Sequence, residues 1–293
     1  MYKEQFIKYL NEEKKVAANT LQAYGRDIGH FGDFLKSRGV ADALNATNAD
    51  VVSYLMTLKS QGKSKSTVNR KLASLRIYYT FLQKKLQIEV NPTEKIKSPK
   101  IEKKAMEFLK PQEIESLMEL PDDSEKGIRD RALLELLYAT GIRAGEIINM
   151  DLADLNLRMG FVTCAGENMH ARIIPVGRMA REALERYLER SRNCLVRNNE
   201  AERHLFVNYQ GKQITRQGLW KILKEYGNMG EFNCNLTPQV LRNSFAIHML
   251  QNGADIKSLQ ELMGHEDISA TQAYLVFTKN RIKDVYDNSH PRA

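Results

Sequence analysis

The chain has 293 residues, of which 42% are hydrophobic, which is enough for two separate cores. No apolar run approaches the length of a membrane span, and the opening Met-Tyr-Lys-Glu-Gln does not read as a secretion signal. The net charge of +8 is uneven: residues 1–104 hold 20 Lys+Arg against 10 Asp+Glu, while the remainder is slightly acidic.

A basic first part is the electrostatic footprint of a polyanion partner, although a lysine-rich solvated surface gives the same count. Three scattered cysteines, Cys164, Cys194 and Cys234, with no Cys-x-x-Cys pair, predict reduced thiols in a cytoplasmic protein.

The first elements in chain order are helices. Asn19-Thr20 caps a predicted helix whose apolar stripe is Leu21, Tyr24, Ile28, Phe31, Phe34 and Leu35. Thr47, with Asp50 three residues on, opens another that carries Val51, Val52, Tyr54, Leu55 and Leu58. Gly62 to Thr67 breaks the pattern. Val68, Leu72, Leu75, Tyr79 and Leu82 then mark a longer helix. Packing that stripe inward is expected to turn Asn69, Arg70, Lys71 and Arg76 outward, beside Lys63 and Lys65, as a face for phosphates.

Residues 92–107 are charged, hold two prolines and lack periodicity, so they read as a linker. Pro111 starts a helix at its first turn. A helix is predicted over Ile128–Ala139, closed by Gly141. Phe161–Cys164 and Arg172–Val176 read as two strands joined by a turn. Further helices are predicted at Met179–Arg190, Arg216–Gly227, Pro238–Asn252 and Asp255–Met263.

Three phrases in the second part carry chemistry. They are Ala139-Thr140-Gly141-Ile142-Arg143-Ala144-Gly145-Glu146, then Leu236 to Ala246 around Arg242, then Leu262-Met263-Gly264-His265 with Tyr274 nine residues later. Two arginines, a histidine and a late tyrosine in this order resemble the tyrosine recombinases of the phage-integrase and Xer type. Thr20, Ala23, Tyr24 and Asp27 resemble a phrase of that family's N-terminal domain.

The resemblance implies a multidomain chain. It would have an all-α N-terminal core-binding (SAM-like) domain over 1–91, a linker over 92–107, and a mainly α catalytic domain with a small β-sheet over 108–293. It implies cleavage of double-stranded DNA by Tyr274 through a 3′-phosphotyrosine, without metal, cofactor or ATP. It also implies a homo-oligomer, a synaptic tetramer that exchanges the C-terminal Lys279–Asp287 segment, and leaves room for a sister recombinase.

Arg143 and Arg242 match the family's phosphate-binding arginines, Glu146 the carboxylate that orients the first, and His265 its second histidine. Each has a plainer reading as a packing or helix-end residue, which the full phrases outweigh. Three places depart from the family. Gln239 stands where a histidine is usual, and an amide can hydrogen-bond but cannot take a proton near neutral pH. Asn243 also stands where histidine is common. In the strand turn Gly166-Glu167-Asn168 replaces a lysine-bearing turn, with no lysine anywhere between Arg143 and Arg172. His170 or Arg172 is then expected to stand in for the lysine that protonates the leaving oxygen. Because removal of a general acid costs roughly 10²–10⁴ in rate, slowed chemistry is expected. Two rival functions follow: a weakly active or silent DNA-binding paralogue acting as an accessory factor, and a type IB topoisomerase-like relaxing enzyme.

Overall fold

The computed structural model describes residues 2–86, 88–100, 105–165, 171–197 and 201–278. It divides into two compact units, 1–104 and 105–293. The first unit is helical: α1 Lys3–Glu12, α2 Ala18–Ser37, α3 Asn48–Ser60 and α4 Lys65–Leu86. Its core is rich in aromatic rings, with Phe6, Phe31, Tyr54, Tyr78, Tyr79 and Phe81 all buried.

Helix α3 starts where the sequence placed it. Thr47 Oγ1 accepts from the Asp50 N–H, and the Asp50 carboxylate accepts from the Thr47 N–H at 3.0 Å, which satisfies two end donors reciprocally. Helix α2 starts earlier than expected, with Ala17 rather than Asn19 or Thr20 at the cap position.

The apolar stripe of α4 is buried as predicted, but the expected outward basic face needs correction. Lys71 is 6% exposed. Its ammonium lies 3.0 Å from the Asp27 carboxylate and 3.1 Å from His30 Nδ1. Arg70 and Ser74 donate to the same carboxylate. The buried acid on α2 needs charged and hydroxyl donors, and Lys71 is one of them. Asn69 donates to the Pro99 carbonyl at 2.8 Å, and Arg76 to Ile96 and Ser98. Lys63 and Lys65 are exposed.

Those last bonds also revise the linker. Asn48 donates to the Pro92 carbonyl, and Thr93 is buried, so 92–99 lies against the first unit. At its other end, Glu107 and Leu109 are hydrogen-bonded within the second unit.

The second unit contains α5 Pro111–Glu119, α6 Glu125–Thr140 and α7 Ala144–Asn149. Next comes an antiparallel sheet in the order β1 Leu155–Asn156, β2 Phe161–Cys164, β3 Arg172–Pro175. Cys164 pairs with Arg172 and Phe161 with Pro175, which sets the direction of Arg172. The two-residue β1 is too short to leave a sequence signal. Helix α8 Arg178–Tyr187 passes through a π-turn at Leu188–Arg192 into α9 Asn193–Val196, so the predicted helix runs on beyond Arg190. Then follow α10 Arg216–Met229, α11 Pro238–Gln251, α12 Ile256–Met263, α13 Ile268–Gln272 and a 3₁₀ turn, Ala273–Thr278. Gly141 ends α6 and Gly264 ends α12, both left-handed at φ +57° and +61°, a conformation that costs glycine nothing. Among the described residues no helix is long and apolar enough to cross a membrane, and the three cysteines are free thiols.

Candidate active site

The C-terminal end of α12 gathers the predicted residues. Three consecutive carbonyls there each accept from a different arginine. Leu262 accepts from Arg172 Nε at 2.9 Å, Met263 from Arg242 Nη2 at 2.6 Å, and Gly264 from Arg143 Nη2 at 2.7 Å. A helix C-terminus has carbonyls without partners and carries partial negative charge, so it suits three guanidiniums at once. The left-handed turn at Gly264 leaves room for them: a Cβ there would lie 2.9 Å from Arg172 Nη1.

Glu146 is the second counter-charge. It lies in the first turn of α7, where its carboxylate accepts from the Arg143 backbone N–H at 2.7 Å and from Arg143 Nη1 at 3.2 Å. Arg172 grips it with both Nη1 and Nη2 at 2.7 Å. Burial would raise the Glu146 pKa, but the Arg172 and Arg143 bonds outweigh it and hold the carboxyl below its ordinary value. The carboxylate expected to orient Arg143 therefore binds Arg172 more closely. Arg172 uses Nε, Nη1 and Nη2 in these bonds, which tie Glu146 to the end of α12. Through Glu146 it braces Arg143.

Arg143 keeps the most open guanidinium, with 38% of its side chain exposed. Arg242, on α11, is 4% exposed and also donates to the Gly141 carbonyl. Burial, with Arg143 nearby, lowers its pKa to about 10, which leaves it charged at neutral pH. His265 follows Gly264 directly. Its Nε2 lies 3.0 Å from Arg242 Nη2, and its Nδ1 lies 2.8 Å from Thr271 Oγ1. A guanidinium only donates, so Nε2 accepts and the ring proton sits on Nδ1, facing Thr271. Burial and the positive field of Arg242, Arg143 and Arg172 push the imidazole pKa down to about 4.

Tyr274, in the 3₁₀ turn, is 4% exposed and packs beside Phe245 and Met263. Its hydroxyl donates to Asn243 Oδ1 at 3.2 Å. Burial raises its pKa, with Arg242 and Arg143 opposing. Gln239 lies on the exposed side of α11 and donates to the same Asn243 oxygen at 2.8 Å. His170 and Glu167 lie outside the described residues. Sequence reasoning missed Thr271 as the partner of His265. It noted Asn243 only as a departure, although its position four residues after Gln239 places the two amides on one helical face.

Residues 107–281 match the phage integrase family, and residues 4–85 match its N-terminal SAM-like domain. Tyrosine recombinase XerD of Oceanobacillus iheyensis is 40% identical over 291 residues, covering 99% of this chain and 98% of that protein. The chain belongs to the phage integrase family. Tyrosine recombinase XerC of Roseiflexus is a further relative, 40% identical over 277 residues, covering 92% of this chain and 87% of that protein. The fold is shared with XerH site-specific recombinase bound to a palindromic difH substrate, with a TM-score of 0.73 at 19% identity over 97% of this chain and 83% of that one. As in the sequence reading, the phage integrase chain combines a helical N-terminal domain with a mainly α domain holding a small sheet.

Proposed function

We propose that the chain is a site-specific DNA recombinase that cuts and rejoins strands through Tyr274. One observation carries the reading. Arg143, Arg172 and Arg242 meet on three successive carbonyls, with His265 bonded to Arg242 and the Tyr274 hydroxyl held by the residue that follows Arg242. This cluster suits a phosphodiester. Arg143 and Arg242 supply the fixed positive donors that a pentacoordinate phosphorane demands on its non-bridging oxygens, and they are already oriented before DNA arrives. Glu146 and Arg172 hold Arg143 in place. His265 joins the donor set once a phosphate displaces its bond to Arg242 and the ring proton moves from Nδ1 to Nε2, with Thr271 Oγ1 then donating to Nδ1.

In the reaction, Tyr274 Oη forms a bond to phosphorus while the bond from phosphorus to the 5′ oxygen breaks. The phenol proton passes to solvent water, and a proton reaches the departing 5′ oxygen. The link conserves the energy for rejoining, so no ATP and no cofactor is needed. Gln239 cannot carry a proton, and His170 is our candidate for the donor to the 5′ oxygen. The working form is proposed to be a tetramer on double-stranded DNA in the cytoplasm, exchanging the Lys279–Asp287 segment, with or without a sister recombinase.

Residues 1–91 are read as the DNA-binding domain, with Lys63, Lys65 and the half-exposed Arg70 as part of its phosphate-binding face. The accessory-factor alternative has no support among the relatives. The test starts by selecting a bound site from random duplexes. A copy nicked near the scissile phosphate should then trap a covalent protein–DNA species with the wild type and none with Tyr274→Phe. No adduct from wild type on a verified site would restore the binding-only alternative.

A further inference from the structure

Asn243 is the polar residue that α11 turns toward the nucleophile, and its side chain has little freedom. It is 6% exposed. Its Nδ2 donates to the Glu107 carbonyl at 2.9 Å, and its Oδ1 accepts from both Gln239 Nε2 and the Tyr274 hydroxyl. A carbonyl oxygen can only accept, so Glu107 decides which way the amide faces. The oxygen must then point at Tyr274, and the phenol must be the donor. The Tyr274 hydroxyl is therefore held protonated. An amide oxygen cannot take that proton, whereas an imidazole in its place could.

The position is also closed. Attack requires the phenol oxygen and the phosphorus to come within roughly 3–3.5 Å, in line with the leaving oxygen. A residue with 4% exposure, its hydroxyl bonded to a buried amide, does not present that oxygen to a duplex backbone. Three hydrogen bonds at Asn243 and the apolar packing beside Phe245 and Met263 make this a defined stored state.

We infer that Asn243 is a positioning residue that stores the Tyr274 hydroxyl in a protonated, non-attacking position, so that this bond must break before cleavage. The inference rests on Tyr274 being the nucleophile, but it has a readout that does not depend on cleavage. In the full-length protein without DNA, hydrogen exchange of the amides over 271–277 reports release of the turn. Asn243→Leu should accelerate that exchange about tenfold, the effect of leaving one buried hydroxyl without its acceptor. Covalent adduct on the nicked duplex should then form at the wild-type rate or faster. Unchanged exchange, or slower adduct formation, overturns the inference. Slower adduct would mean that Asn243 aligns the phenol for attack.

A double-mutant cycle separates the bond from general loosening. Tyr274→Phe keeps the ring and removes only the donor, so it should accelerate exchange, but less than Asn243→Leu, which also leaves the hydroxyl and the Glu107 carbonyl without their partners. The double variant should add nothing further. Additive effects overturn the inference. If Asn243→Leu does not fold, Tyr274→Phe alone decides it, because unchanged exchange in that variant means that the bond holds nothing. Failure of wild type to form any adduct would count against the proposed function and leave the exchange result to stand by itself.

Discussion

Replacing Glu146 by glutamine tests how the arginine cluster is held together. The carboxylate receives four bonds, two from Arg143 and two from Arg172, and its side chain is only 11% exposed. Glutamine keeps one acceptor oxygen but aims an NH₂ at guanidinium donors, and it removes the negative charge between two cations. Breaking one side of a buried pair costs about 3–5 kcal/mol, and the retained oxygen places Glu146→Gln near the lower end, at about 3 kcal/mol.

The single tryptophan, Trp220 on α10, lies in the second unit, so its fluorescence in urea follows that unit's unfolding. With a slope of about 1–3 kcal/mol per molar urea, the midpoint should fall by at least ~1 M at pH 7. The deficit should also depend on pH. Folding lowers the Glu146 pKa below 4.5, so its contribution is complete above the unfolded value and is lost as pH falls through the folded one. Wild type and variant should therefore converge as the pH falls through the lowered folded value. A deficit under about 0.5 kcal/mol at pH 7, in the range of exposed ion pairs, or one that never shrinks as the pH is lowered until the protein unfolds in acid, would refute the reading of Glu146 as a buried counter-charge.

Other expectations follow from the same geometry. Gly264→Ala forces a left-handed turn on a Cβ and presses it against Arg172 Nη1, so adduct formation should fall by roughly 10²-fold while affinity for duplex DNA changes little; an unaltered rate would show that the turn does not position the arginines. His265 titrates near 4 when folded and near 6.5 when unfolded, so the unfolded chain binds the extra proton between those values. Stability should therefore climb with pH across that window, and His265→Gln should flatten the climb in urea titrations at several pH values. Duplex binding should weaken steeply with salt, and substituting Lys63 and Lys65 should reduce the slope of log affinity on log salt, whereas Lys71→Met should act mainly on the thermal stability of the first unit. Equal slopes for wild type and the Lys63/Lys65 variant would remove those lysines from the DNA face.

The sequence by itself determined the elements whose signals lie within a turn or two of chain. The Thr47–Asp50 box, Pro111, the glycine stop at 141 and the strands flanking Ala165 are local hydrogen-bond and dihedral preferences, and they read the same way in the folded protein. The motif phrases likewise carried the family, and with it the two-domain architecture. Tertiary structure alone decided the partners. Lys71 looked like part of a solvated face until the fold brought Asp27, 44 positions away, beneath it. Arg172 looked like a spare donor until the sheet register aimed it at Glu146 and at the end of α12. The Tyr274 hydroxyl met Asn243 because the 3₁₀ turn packs against α11. A charged or hydrogen-bonding side chain has no intrinsic preference between water and a buried partner that can be read from its neighbours in the chain. The choice depends on which opposite charge or acceptor the packing excludes from water, and only the assembled core settles it.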